Sequence, residues 1–232
     1  MITKMSNSPY YMCNDTKKVL IWSPKCACTT LHNYFIREIC QIKDKGDVRF
    51  LAREKNKIFG NYNRIPEDYT IYFCTRDPFE RMVSSFLNKF VVYLGNKLTE
   101  ETLESFSKKF LEDIKVEYND LTFNKFLQGI QELKRKNKRV DPHFNSQVNM
   151  ERFNIIKNKK DLIIFDIKDI NKVFNHNLSK INTTSYSGNE NINICDVPVV
   201  DITPKMINLK NFESSKELVK EIYQEDYEIL KY

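Results

Sequence analysis

The strongest constraint on the fold is a strand, a tight loop and a helix that follow one another between Lys18 and Ile39. Val19 to Trp22 is a short apolar run typical of a buried strand, and the apolar residues after the loop recur at helical spacing. The loop itself runs from Ser23 to Cys28. Unpaired backbone N–H groups and the positive end of the helix dipole point out of such a turn. This segment therefore predicts a binding site for a phosphate or a sulfate.

The residues of this loop supply charge and hydrogen-bond donors for an oxyanion. Lys25 lies inside the loop, and Thr29 and Thr30 place two hydroxyls in the first turn of the predicted helix. A nucleotide triphosphatase loop has two glycines and a lysine directly before Ser or Thr. Here no glycine occurs between Ile2 and Lys45, and Lys25 precedes Thr29 by four residues. The spacing disfavours that loop, although an ordinary turn with a solvated lysine stays open.

A second strand-to-helix turn follows the apolar run Thr70–Thr75. Asp77 is suited to the N-cap of a helix, and Glu80 completes a capping-box spacing with it. Arg76 then lies at the tip of the strand, and Ser84 lies about two turns into the helix. An arginine and a hydroxyl beside a helix N-terminus predict a second anion site, while a simple salt bridge of Arg76 is the alternative.

Both turns resemble known sulfotransferase motifs. The run S-P-K-C-A-C-T-T is similar to the loop that holds the 5′-phosphosulfate in that family, and Arg76 with Ser84 eight residues later resembles its 3′-phosphate motif. The segment R-D-P-F-E-R-M-V-S-S-F is most similar in sequence to the carbohydrate sulfotransferase branch. The resemblance implies 3′-phosphoadenosine 5′-phosphosulfate as the sulfuryl donor, no metal, and a hydroxyl acceptor, most simply on a carbohydrate. The nucleotide-binding residues that it implies are Lys25, Cys26, Ala27, Cys28, Thr29, Thr30, Arg76 and Ser84.

A candidate base follows in the segment Val140–Gln147, where Pro142 favours an extended or turning chain and presents His143 from a loop. The segment resembles the D-x-H-W-x-P-Q-like stretch of carbohydrate sulfotransferases, with Phe144 and Ser146 in place of the usual Trp and Pro. A histidine is well suited to take a proton from an acceptor hydroxyl at neutral pH. We therefore expect Lys25 and His143 to be catalytic. A surface histidine, with a carboxylate as the base, is the alternative.

Composition and charge narrow the class of protein without naming its acceptor. The 232 residues fit one domain, and 41% hydrophobic residues are typical of a globular chain. A net charge of +6 suits an anionic nucleotide, but a bias toward lysine accounts for it equally well. No signal peptide or membrane span is recognisable, so we expect a cytoplasmic protein without nucleic-acid or membrane partners. The six cysteines lack zinc-site spacing, and we expect reduced thiols.

The rest of the chain predicts helices and one more strand. A helix capped by Thr99 is followed by one over about Thr122–Leu133, which ends in the basic tract Lys134–Arg139. The first of these helices is expected to turn five apolar residues to the core: Leu103, Phe106, Phe110, Leu111 and Ile114. The basic tract is interpreted as a solvated helix end, with an electrostatic rim for anions as the alternative.

A strand over Leu162–Ile167 precedes a helix that Asp169 caps and that runs to about Leu178. The terminal helix begins at a Ser214-x-x-Glu217 capping box and is expected to turn its apolar residues inward: Leu218, Ile222 and Ile229. Its end, Y-Q-E-D-Y-E-I-L-K-Y, resembles the Y-x-x-D-[FY] tail of the same family. Weak candidates for ligand contacts are Asn182–Ser187 for adenosine and Arg49 and Arg53 for the acceptor.

Strands that are each followed by helices predict an α/β fold with a central, mostly parallel sheet. The resemblance implies a P-loop-like three-layer fold. We expect a single domain over residues 1–232, in which 1–16 form a polar N-terminal lead-in. Two other functions stay open. A P-loop kinase or phosphotransferase shares the architecture but needs glycines and Mg²⁺. A non-catalytic polyanion binder would use the basic tract and both anion turns, with steep salt dependence and no transfer.

Overall fold

A computed structural model describes residues 10–26, 28–43, 65–93, 95–175 and 186–232. These residues form two compact units. The first unit contains the described residues up to Arg76 and those from Gln147 to Asn175. The second unit contains the described residues from Asp77 to Ser146 and from Tyr186 onward. The single domain expected from the sequence stays a prediction.

The first unit is built on a four-stranded sheet in the order β1-β2-β3-β6. Its strands are β1 (Tyr11–Cys13), β2 (Lys18–Trp22), β3 (Thr70–Thr75) and β6 (Leu162–Asp166). The strands β2, β3 and β6 are parallel, and Trp22 lies opposite Cys74, which lies opposite Phe165. Only β1 pairs antiparallel, with β2. The mostly parallel sheet is therefore confirmed, whereas the three-residue strand β1 was not predicted because its signal is too short.

Helices pack on both faces of this sheet. Helix α1 (Cys28–Tyr34) continues into a π-helical turn (Phe35–Ile39), and both share a buried cluster with Leu20, Cys74 and Phe165. Phe73 points to the opposite face because side chains alternate along a strand, and its ring lies 5.4 Å from that of Phe153 in α5 (Glu151–Ile156). Helix α6 (Ile170–Phe174) follows β6 and packs in the same cluster as α1. The unit is thus a central sheet flanked by helices, as expected.

The second unit consists mainly of helices around an aromatic core. Helix α2 (Pro78–Phe86) continues into a π-helical turn (Leu87–Val91). A short hairpin of β4 (Val92–Tyr93) and β5 (Asn96–Lys97) follows. The next helices are α3 (Ser105–Ile114) and α4 (Phe123–Arg135). The chain ends in α7 (Lys216–Ile222) and α8 (Gln224–Leu230).

Buried phenylalanines from several of these elements join the second unit together. The ring of Phe86 in α2 lies 5.2 Å from Phe123 and 5.4 Å from Phe126, both in α4. Phe126 also contacts Phe144, with 5.0 Å between the ring centroids. Rings at these distances in tilted or edge-to-face geometry attract one another beyond simple area burial. The segment that carries His143 is thus anchored in the core through its neighbour Phe144.

Several sequence predictions of helix ends and faces are confirmed. Asp77 caps α2 by accepting a hydrogen bond from Glu80 N at 2.9 Å, and Thr122 caps α4 by accepting from Lys125 N at 3.2 Å. Arg135 and Lys136 pair with Glu132, and Arg139 is exposed. This supports the interpretation of the basic tract as a solvated helix end, although its first residue, Lys134, is half-buried.

Other predictions of buried faces and caps are wrong. Phe106 is 59% exposed and Ile229 is 49% exposed, because each lies on the outer side of a helix shorter than the pattern suggested. Asp169 makes no side-chain cap, and α6 ends at Phe174, where Asn175 adopts a left-handed conformation. The Ser214 hydroxyl bonds to Asn193 instead of capping the terminal helix.

The remaining early predictions fall outside the described residues. They concern Ala27, Arg49, Arg53 and most of the segment Asn182–Ser187. In the part of the chain that the structure describes, no helix has both the length and the apolar character needed to cross a membrane.

Candidate active site

The loop between β2 and α1 turns sharply at Lys25. Lys25 has φ of 69°, the left-handed region that costs a residue with a side chain about 1 kcal/mol or more. Cys26 N donates to Ser23 O at 3.3 Å, which closes the turn, and α1 begins two residues later at Cys28. Thr29 is exposed and Lys25 and Thr30 are half-buried, so the predicted donors can be reached from solvent.

Small neutral thiols form the floor of this loop. Cys26 and Cys74 are fully buried, and the Cys74 thiol lies 3.9 Å from the carbonyl oxygen of Cys26. Burial raises the pKa of the Cys28 thiol to about 11 and holds that of Cys74 well above its usual value. All three are free cysteines. Because protonated thiols bring no negative charge, the loop can accept an anion without repulsion from its own floor.

The structure brings Arg76 to the same place. Parallel strands β2 and β3 end at one edge of the sheet, which is where ligands of open α/β sheets bind. Arg76 directly follows β3, is 5% exposed, and its Nη1 donates to Lys25 O at 3.2 Å. The two strand-ending turns predicted from the sequence are therefore joined through Lys25 and Arg76 within the first unit.

The side chain of Gln147 bonds to both strand-ending turns, the one at Ser23 and the one at Arg76. Its Oε1 accepts hydrogen bonds from Arg76 N at 3.0 Å and from the Ser23 hydroxyl at 2.7 Å. Its Nε2 donates to Arg76 O at 2.7 Å. The amide thus binds Arg76 as a neighbouring strand would, and it ties Ser23 at the start of the loop to Arg76 at the end of β3. Gln147 is fully buried.

Ser84 lies in the second unit, on α2, and is 2% exposed. The N-terminus of this helix has the predicted Asp77 cap, with proline at its first position. Tyr186 donates from its hydroxyl to Glu80 O in the first turn of α2, at 3.4 Å. Arg76 and Ser84 thus lie on successive elements of the chain but in different units.

His143 lies in a single 3-10 turn (Pro142–Phe144) and forms a close pair with Asp141. Asp141 Oδ1 accepts from His143 N at 2.7 Å and lies 2.6 Å from His143 Nδ1. The histidine side chain is 32% exposed and the aspartate side chain 7% exposed. The carboxylate is therefore covered by the group that it binds.

Electrostatics fix the tautomer of this pair. Burial acts to raise the pKa of Asp141, but the hydrogen bond from His143, its charge and that of Lys89 outweigh burial, and the pKa is lowered. An ionised carboxylate can only accept hydrogen bonds, so Nδ1 carries the hydrogen. In the neutral ring the lone pair is then on Nε2, which is the arrangement of a general base whose ring is oriented by a carboxylate.

A comparison with protein families decides the class. A sequence model of the Sulfotransferase family matches residues 9–232. The chain belongs to the sulfotransferase family. It is an enzyme, and its reaction is the transfer of a sulfuryl group. No curated protein and no solved structure matched the chain.

From the sequence alone, no role is assigned to two side chains of this candidate site. Asp141 was visible as the first residue of the segment resembling D-x-H-W-x-P-Q, and Gln147 as its last, but neither was given a role. The spacing Asp-x-His is itself a signal, because an Asp side chain commonly bonds to the backbone two residues on. Nothing local to Gln147 indicates its bonds to Ser23 and Arg76.

The histidines and cysteines of the sulfotransferase do not assemble a metal site in the part of the chain that the structure describes. No group of three or more His, Cys, Asp or Glu side chains is placed to hold a metal ion there. His32 packs instead as a buried aromatic residue, with its ring 4.1 Å from Trp22 and 4.9 Å from Tyr11.

Proposed function

We propose that this sulfotransferase moves a sulfuryl group from 3′-phosphoadenosine 5′-phosphosulfate to a hydroxyl, most simply of a carbohydrate. The observation that carries the proposal is the contact of Arg76 with the Lys25 loop at the carboxyl ends of two parallel strands. A nucleotide with phosphate at both ends needs two cationic groups with hydrogen-bond donors, and these two turns supply them. The proposal includes a P-loop-like three-layer fold, and a cytoplasmic location stays a prediction.

The donor set fits the proposed nucleotide. Lys25 and the first turn of α1, with the hydroxyls of Thr29 and Thr30, form the proposed site for the 5′-phosphosulfate. Cys28 contributes a backbone N–H group at the start of α1. Cys26, whose own N–H donates to Ser23 O, contributes a small side chain, and Ala27 lies between the two cysteines in the sequence. When bound, the nucleotide supplies the sulfuryl group and a phosphate as the leaving group. Lys25 then stabilises negative charge, and loss of one such preorganised donor costs about 3 to 4 kcal/mol of barrier.

Arg76 and Ser84 are proposed to hold the 3′-phosphate. A guanidinium binds phosphate through two parallel hydrogen bonds, which gives orientation as well as affinity. The contact of Arg76 Nη1 with Lys25 O restricts the rotamers of this long side chain before ligand binds, so less entropy is lost on binding. These two residues act mainly on nucleotide affinity.

His143 is proposed as the general base. Nε2 of the neutral ring takes the proton from the acceptor hydroxyl, and Asp141 stabilises the imidazolium that forms. The partial exposure of the ring leaves room for an acceptor to approach. A hydroxyl of a carbohydrate is a suitable acceptor because its proton must be removed as its oxygen bonds to sulfur.

The experiment that tests the function is a transfer assay with ³⁵S-labelled 3′-phosphoadenosine 5′-phosphosulfate and a panel of glycans, simple sugars and phenols. We expect label on a carbohydrate, with no requirement for added Mg²⁺. Label on phenols alone contradicts the carbohydrate acceptor, and transfer from ATP in place of the phosphosulfate contradicts the donor.

A further inference from the structure

Side chains from two distant parts of the sequence hold the turn that carries His143. The base loop is defined here as residues 143–146, and it lies in the second unit. Three successive backbone carbonyls of the base loop accept hydrogen bonds from side chains, and its last residue donates one. Phe144 and Ser146 are buried, so the polar groups of this loop need hydrogen-bond partners within the protein, and four side chains supply them.

Helix α2 supplies the first set of contacts. Arg81 Nη1 donates to His143 O at 3.1 Å, and Arg81 Nη2 donates to Asn145 O. The Ser85 hydroxyl donates to the same His143 carbonyl at 3.3 Å. Arg81 and Ser85 are one helical turn apart and therefore lie on one face of α2. The backbone of the candidate base is thus bound to a rigid helix.

The end of the chain supplies the second set. The Tyr223 hydroxyl donates to Phe144 O at 2.6 Å, and the Ser146 hydroxyl donates to Asp226 Oδ1 at 2.6 Å. Burial raises the pKa of Tyr223, so its hydroxyl keeps its proton and stays a donor. Tyr223 and Asp226 are the Tyr and Asp of the tail sequence Y-x-x-D, which the proposed reaction leaves without a role.

Packing alone does not account for these residues. Arg81 and Asp226 are fully buried, and burying a charge costs more than burying an apolar side chain of similar volume. The Arg81 guanidinium also lies 5.8 Å from the centre of the Tyr223 ring, so the residue from α2 and the residue from the tail sequence pack against each other. Apolar residues would stabilise the core as well, but they could not bind the carbonyls of the base loop and fix their direction.

We propose that Arg81, Ser85, Tyr223 and Asp226, named here the loop clamp, are positioning residues that hold His143 in the orientation needed to take the acceptor proton. The inference rests on the proposed function, in which His143 is the base. The proposal gives the tail sequence Y-x-x-D a role in catalysis, which it fulfils by holding the base loop, Tyr223 through a backbone carbonyl and Asp226 through the Ser146 hydroxyl. None of the four touches the reacting atoms.

The sharpest variant is Tyr223→Phe, which removes one hydroxyl and keeps the buried ring, whereas loss of Arg81 threatens folding. We expect kcat to fall about tenfold and the affinity for 3′-phosphoadenosine 5′-phosphate to stay within about twofold. The matched control is Tyr118→Phe. Tyr118 is also buried in the second unit, and its hydroxyl donates to Phe90 O and Leu98 O and not to a carbonyl of the base loop. Equal kcat values for the two variants overturn the proposal.

A double variant separates positioning from a general loss of structure. In the His143→Ala background, Tyr223→Phe should change kcat by less than about twofold, because a residue that acts only through the base has nothing left to position. The same tenfold loss in both backgrounds contradicts the proposal.

A measurement without turnover makes this inference independent of the acceptor. In ¹⁵N spectra of the histidine rings, assigned with His143→Gln, the parent should show His143 with its hydrogen on Nδ1. Tyr223→Phe should shift the His143 ring signals, because the base loop loses a bond that fixes its backbone, and Tyr118→Phe should leave them as in the parent. If the parent transfers no sulfate but the ring signals behave in this way, the proposed function fails and the clamp stands. Unchanged His143 signals in Tyr223→Phe overturn the clamp whatever the activity.

Discussion

The two loops that carry the candidate chemistry are held in different ways. The Lys25 loop is held by the cation Arg76, which donates to Lys25 O, and by neutral groups: buried thiols, the Ser23 carbonyl and the amide of Gln147. The base loop around His143 rests on charged and phenolic groups from α2 and from the chain terminus. A site for a multiply charged anion is best lined by neutral dipoles and its own cations, whereas a proton-transfer group needs fixed orientation.

This difference predicts that the two loops respond differently to substitution. Changes at the Lys25 loop remove charge stabilisation and should affect the chemical step strongly. Changes around the base loop alter orientation, and their effect should depend on whether His143 is present.

Replacing Lys25 with alanine should lower kcat by about 10²- to 10³-fold, because one preorganised donor to developing charge is lost. Nucleotide affinity should change far less. The control is Lys17→Ala: Lys17 also has a left-handed backbone, with φ of 53°, in the same unit, but it pairs with Asp68 on the surface. Steady-state kinetics with both variants decide the matter. Equal turnover in Lys25→Ala and the parent removes the catalytic role of Lys25.

Replacing Asp141 with asparagine should lower kcat about 10- to 100-fold, because the ring of His143 loses the carboxylate that sets its tautomer. The affinity for nucleotide should not change. Asp113→Asn is the control, since Asp113 is another aspartate of the second unit with a lowered pKa, but it pairs with lysines and not with His143. A full rate in Asp141→Asn would show that another group takes the proton.

The charged surroundings of the base loop should also appear in the pH dependence of stability. The Nζ atom of Lys134 lies 3.9 Å from the centre of the Tyr223 ring. Burial and, to a smaller extent, the charge of Arg81 lower the pKa of Lys134 to about 8, although the charges of Asp226 and Glu225 act to raise it. Between pH 8 and 10.5 the unfolded chain keeps a proton that the folded protein has released. Stability therefore rises with pH across this window, by at most about 3 kcal/mol.

Urea unfolding at the two ends of that window measures this contribution. In Lys134→Met the rise should be smaller than in the parent by the amount that Lys134 supplies. In Lys125→Met, at an exposed lysine of the same helix, the rise should equal that of the parent. An identical rise in the parent and Lys134→Met would mean that Lys134 titrates normally in the folded protein.

The sequence predicted what is local. The strand that leads to Lys25, the strand Thr70–Thr75 and the Asp77 cap depend on periodicity and on residues a few positions apart, and all three are confirmed. The features behind the proposed anion loop were visible in the same way, because Lys25 and the start of α1 lie within one short segment.

What the sequence could not predict depends on contacts between distant residues. Gln147 bonds to Ser23 across 124 positions, and Tyr223 bonds to Phe144 across 79. No pattern within one element indicates such a pair. The errors at Phe106 and Ile229 have a related cause: helical spacing places a residue on a face, but it does not show where the neighbouring element ends. Asp141 could be predicted only in part: the sequence shows its spacing to His143, but it does not show that its side chain is buried.

The central claim is that the Lys25 loop and Arg76 bind opposite ends of one nucleotide that carries phosphate at both positions. The most direct test is calorimetric titration of the parent, Arg76→Ala and the exposed control Arg139→Ala with 3′-phosphoadenosine 5′-phosphate and with its 3′-dephospho analogue. Arg76 also bonds to the Lys25 loop, so the ratio of the two affinities is the decisive quantity, since a disturbed loop weakens both ligands.

We expect the parent and Arg139→Ala to prefer the 3′-phosphorylated nucleotide, and Arg76→Ala to lose about 10- to 100-fold of that preference. If the ratio is the same in all three proteins, or if the parent does not distinguish the two nucleotides, Arg76 does not hold the 3′-phosphate and the proposed site is wrong.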